Sequence, residues 1–78
     1  MYDDQVRAVN EALEMLKLEA PALAAAVHCK GEAASTGLEY YGIVKAALEH
    51  AVDTPELSFE AKVKIREAIG AVVAMYQS

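Results

Sequence analysis

The sequence predicts an all-α fold, a compact bundle of three helices in which the first is kinked or split at Pro21, giving three to four helical segments. Three observations carry this. Val6, Val9, Leu13, Leu16, Ala20, Leu23 and Val27 alternate spacings of three and four, which places them on one stripe of a helix. Strand-like alternation is absent, and the later breaks at Gly31, Thr36 and Pro55 divide the remaining chain into helix-length stretches.

The first helix is expected over residues 4–19, capped by Asp3 or Asp4, whose short carboxylates suit the positive end of the helix dipole. Arg7 with Glu11 and Glu14 with Lys17 are spaced as solvent-side pairs. Pro21 lacks an amide hydrogen and disfavours helical geometry at Ala20. Leu23 and Val27 nevertheless keep the phase, so a kinked continuation to residue 30 is favoured over a reversal, with Gly31 ending the helix.

Thr36, followed three positions on by Glu39, has the spacing of a capping box and starts the second helix. Its apolar residues form two adjacent lines, Tyr41, Val44, Leu48, Val52 and Tyr40, Ile43, Ala47, Ala51. An arc that broad requires a central position or an oligomer interface. Thr54 or Ser58 caps a third helix over residues 58–76, with Pro55 suited to a first turn. Ala61, Ile65, Ala68, Ile69, Val72 and Tyr76 form its core stripe. Phe59, Val63, Gly70 and Ala74 form a second apolar strip beside Arg66, read as a contact surface.

The chain of 78 residues is one helical domain spanning 1–78, and a domain of that size buries only about 60–65% of its unfolded surface. Much of its apolar content is alanine, which adds little buried area, and one cysteine, Cys29, cannot form an internal disulfide. A homodimer is the expected remedy. The net charge of −5 argues against nucleic acid, although residues 59–78 carry three bases, Lys62, Lys64 and Arg66, against two acids. Those bases lie on different helix faces among Glu60 and Glu67, unlike a recognition helix. No apolar run approaches a membrane span and no leader is evident, so a cytoplasmic setting is expected.

No catalytic constellation is visible, and the chain is expected not to be an enzyme. Adjacent His28 and Cys29 point about 100° apart on a helix and do not readily share a metal. His50 joins them only if the fold brings it close, so neither metal nor cofactor is expected. In size, acidity and helical build the chain is similar to acyl carrier proteins, which hold phosphopantetheine on a serine before their second helix, where Ser35 stands here. The family's Asp-Ser-Leu motif is replaced by Ala34-Ser35-Thr36, so the prosthetic group is not carried over.

The expected function is protein binding, as a small bacterial or phage accessory protein that acts as an inhibitor or adaptor. The expected interaction surface comprises Tyr40, Tyr41, Ile43, Phe59, Val63, Arg66 and Tyr76. A second expectation is a small-ligand pocket between helices or protomers, lined by Tyr40, Tyr41 and Ile43 and oriented by His50 or Lys45.

Overall fold

Proline has no amide hydrogen to add to a helical ladder, and the first helix stops just before it. In the computed structural model, which describes residues 2–77, α1 (Asp3–Glu19) and α2 (Pro21–Glu32) are separate helices joined through Ala20. Ala20 leaves helical space at φ −145° and ψ 72° yet serves both neighbours. Its N–H donates to the Leu16 carbonyl at 2.7 Å, and its carbonyl accepts from Ala24 at 3.1 Å. Pro21 takes the first position of α2, where no donor is needed.

Laid end to end, helices of 17 and 12 residues would span about 44 Å at the usual rise, but the longest dimension of the molecule is 33 Å. The favoured kinked continuation is therefore corrected to the reversal it was preferred over: the chain turns at Ala20 and α2 packs back against α1. The apolar seam folds with it: Val9, Leu16, Ala20 and Val27 are buried, and Leu13 and Leu23 pack against them.

Several other local expectations change. Asp3 and Asp4 lie inside the first turn of α1, after Tyr2 at the N-cap position, where their carboxylates suit the positive helix end. Arg7 pairs with Asp4 at 3.5 Å instead of Glu11, and Glu11 pairs with Lys64 of a later helix at 3.4 Å. Gly31 does not end α2; it is buried within the helix, whose last residue is Glu32, and its φ is not positive. What position 31 requires is room, since a Cβ there would stand 2.6 Å from Cε1 of Tyr40.

α3 (Gly37–Ala51) starts as its sequence predicts, with Thr36 Oγ accepting from the Glu39 amide at 3.1 Å. α4 (Phe59–Gln77) is capped by Ser58, whose Oγ accepts from the Ala61 amide at 3.1 Å. Thr54 instead shapes the connecting turn: its N–H donates to Ala51 and its carbonyl accepts from Leu57. Leu57 is buried, so this connection contributes to the core.

Ser58 meets Glu19 while Lys64 meets Glu11, so α1 and α4 run antiparallel. α3 and α4 are antiparallel too, with the Tyr76 hydroxyl donating to the Leu38 carbonyl at the end opposite their connection. Gly31 under Tyr40, and Leu23 beside Thr54, set α2 antiparallel to α3. The four helices form a ring in which each touches its chain neighbours and α1 closes on α4. The radius of gyration is 11.5 Å, equal to the roughly 11.5 Å expected of a compact chain of this length.

The largest fully buried side chains are Val9 and Leu16 of α1, Val44 and Leu48 of α3, and Ile65 and Val72 of α4. α2 supplies none of these; within it only Val27 and Gly31 are buried. The core is thus a three-helix core roofed by a fourth, alanine-rich helix. On α4 the structure buries Met75 and leaves Tyr76 half exposed, so the expected core stripe is corrected at its last position.

Glu19 ends α1, where the helix dipole disfavours a negative charge. It is compensated across the bundle. Its two carboxylate oxygens accept from the Ser58 amide at 2.8 Å and from Ser58 Oγ at 2.7 Å, at the positive end of α4. The backbone hydrogen bond first, and the hydroxyl second, hold its pKa below the ordinary value of 4.5.

Three outcomes are expected from this packing. Gly70 is exposed in mid-helix, and a methyl group added there would have nothing within 4 Å, so Gly70→Ala stabilises by about 1 kcal/mol in denaturant melts. Gly31→Ala gains the same propensity but displaces the Tyr40 ring, so it destabilises by about 1 kcal/mol in the parent chain and stabilises when Tyr40 is already alanine. The Glu19 contribution is fully present above the ordinary carboxylate value and is lost as pH falls through the depressed one. Urea melts from neutral pH to pH about 3 therefore show a larger acid loss for the parent than for Glu19→Gln.

Candidate interaction surface

The seven expected surface residues do not form one patch. Tyr40 and Tyr41 are adjacent on α3 and point to different sides, but both pack against the core. Their rings meet edge to face, centroids 5.1 Å apart at 83°. Tyr40 roofs Gly31 of α2, so the breadth of the apolar arc on α3 is used within the chain, against α2 on one side and α4 on the other. Ile43 is half-buried on the same helix.

Tyr76 is 49% exposed and lies across the start of α3, its hydroxyl on the Leu38 carbonyl. A Cβ at Gly42 would run into that hydroxyl, so Gly42 provides the space that lets the ring cross. Leu38 beside it is 52% exposed. Tyr76 and Leu38 together make a small apolar corner at this end of the bundle.

Phe59, Val63 and Arg66 stand apart on α4. Phe59 is 79% exposed, Arg66 is exposed and Val63 is half-buried. At 100° per residue these three, with Gly70, Val73 and Ala74, occupy the pole of α4 opposite the buried stripe of Ala61, Ile65, Ala68, Val72 and Met75. That pole is where a bundle helix ordinarily carries charge. Here it carries Phe59, two valines and small residues around one guanidinium.

Leu18, 80% exposed near the end of α1, was not among the expected surface residues, nor were Leu38 and Val73. Leu18 was detectable, because it falls two positions past Leu16 and so off the core seam. The Glu19 clamp was detectable only as a local oddity, an acid at the wrong end of a helix.

The titratable groups remain dispersed. His28 Nε2 lies 2.6 Å from Glu32 Oε1 one turn on, and Cys29 is exposed on the same helix. His50 lines a shallow groove with Leu23, Lys30 and Ala47, while Lys45 pairs with Glu49 at 3.2 Å. Within the chain Tyr40 faces α1 and α2, and neither His50 nor Lys45 lines the same groove. Tyr40 lines a groove of about 420 Å³ with Leu13, Lys17, Ala24, Val27 and His28. Among the described residues, no three His, Cys, Asp or Glu side chains gather as a metal set, and no helix is long and apolar enough to cross a membrane. Ser35 lies exposed in the link before α3.

Comparison of the chain with protein-family models, with curated proteins and with solved structures finds no match.

Proposed function

We propose that this chain is a small acidic protein-binding module, a homodimeric bacterial or phage accessory protein of the cytoplasm that works without catalysis, as an inhibitor or adaptor occupying the surface of another protein. The observation that carries the reading is the outer pole of α4. An aromatic ring 79% exposed, an arginine beside it and further apolar residues along the same line have the composition of binding hot spots, where aromatic and arginine side chains dominate. Isolated exposed apolar residues need no explanation, but a contiguous line of them on one helix does.

A second reading is favoured by the groove under Tyr40, in which Glu14, Lys17 and His28 flank an apolar floor. Such a groove, mostly apolar with a few polar groups at its rim, suits a small ligand with an apolar body and a polar head. A thermal-shift screen of nucleotides and organic acids tests it, and a response abolished by Tyr40→Ala supports it.

For the main reading, the immobilised chain and its Phe59→Asp variant are compared in capture from bacterial lysate, with helicity checked by circular dichroism. Partners retained by the parent and lost by the variant, at equal helicity, are the expected result. Equal retention by both removes the role of α4.

A further inference from the structure

The outer pole of α4 has a finer order than exposure alone. Phe59, Val63, Arg66, Gly70, Val73 and Gln77 follow one another at spacings of four, three, four, three and four, the spacing of a coiled-coil seam. Val63, Gly70 and Gln77 fall at a, and Phe59, Arg66 and Val73 at d. The positions bordering that seam are then fixed. Lys62, Ile69 and Tyr76 fall at g on one edge, and Glu60, Glu67 and Ala74 fall at e on the other.

Lys62 and Glu67 are five residues apart, the separation at which a g side chain of one helix meets an e side chain of a parallel partner. Among the described residues, neither has an ion-pair partner within its own chain, and the same holds for Arg66. Lys64, by contrast, is committed to Glu11 of α1. Lys62 and Arg66 are also like charges one turn apart, an arrangement that costs a helix a little when nothing opposes it.

We propose that the outer face of α4 pairs with α4 of a second copy of this chain, parallel and about a two-fold axis along the seam. This deepens the protein-binding reading and rests on it. In the parallel arrangement Lys62 on the g edge of each helix lies beside Glu67 on the e edge of the other, and two equivalent Lys62–Glu67 contacts form between copies. An antiparallel two-fold pair would set g edge against g edge and e edge against e edge. The Lys62–Glu67 contacts therefore favour the parallel direction, and they outnumber the single layer at which Arg66 lies opposite its own equivalent across the two-fold axis. Phe59 and Val63 pack at the symmetric seam, and Arg66 lays its aliphatic stem along it while its guanidinium reaches the rim. A seam of 19 residues with Gly70 at one a position falls near or below the low end of stable interfaces, about 1,200 Å². The dimer is accordingly one that dissociates on dilution.

The test is sedimentation equilibrium on three proteins over a range from low micromolar to millimolar. The parent self-associates. Lys62→Glu alone sets acid against acid at both contacts, Glu67→Lys alone sets base against base, and each is monomeric at concentrations where the parent pairs. Mixed in equal amounts, the two variants restore both contacts and recover the dimer, which no fault in folding imitates. Direction is read from Val73→Cys in a Cys29→Ser background, where mild oxidation cross-links parallel copies through residue 73 and leaves antiparallel copies unlinked. A parent that stays monomeric throughout, or a mixture that fails to pair, overturns self-association. Because Phe59 lies in the same seam, binding to foreign proteins is judged with Lys62→Glu, which parts the copies but keeps Phe59: capture of foreign proteins by that monomeric variant tests the broader reading independently of self-association, so the two failures are distinguishable.

Discussion

Pro21 cannot donate the hydrogen bond that would carry α1 onward, and the position at which α1 consequently ends governs much of the remaining packing. Stopping at Ala20 places Glu19 at the last turn, within reach of the amide and hydroxyl of Ser58. An acid that local dipole electrostatics disfavours is thereby held at the favourable end of another helix. The same corner turns α2 back over the bundle, where Gly31 slides beneath the Tyr40 ring. A straight first helix would forfeit both contacts.

The fold that results is uneven. α1, α3 and α4 share the large buried side chains, two from each, while α2 contributes one valine and a glycine. Alanine makes α2 helical at little cost in side-chain entropy but gives it little to bury. Its attachment depends on a few larger groups, chiefly Val27, Leu23 and the Tyr40 roof. No buried polar side chain is found among the described residues, so the interior is held by packing alone.

The exterior is where sequence and structure diverged most instructively. The apolar arc of α3 was too wide for the edge of a three-helix bundle, and oligomerisation was one answer. A fourth helix is the other. Once α2 folds back, the arc is covered from within, and Tyr40 and Tyr41 become internal supports. The strip through Phe59, Val63 and Arg66 has no such cover, because α1 and α3 occupy the two sides of α4 and leave its outer pole to solvent.

Periodicity and capping residues determined the all-helical class, the starts of α3 and α4 at Thr36 and Ser58, and most of the core, because these are local or single-helix properties. Val9, Leu16, Val44, Leu48, Ile65 and Val72 were all legible from spacing. The direction taken after Ala20, the reason for glycine at 31, the burial of Leu57 and the exchange of Tyr76 for Met75 were decided only by tertiary structure. Each depends on contact between residues distant in sequence, and a helical stripe records which face is apolar without recording what will lie against it.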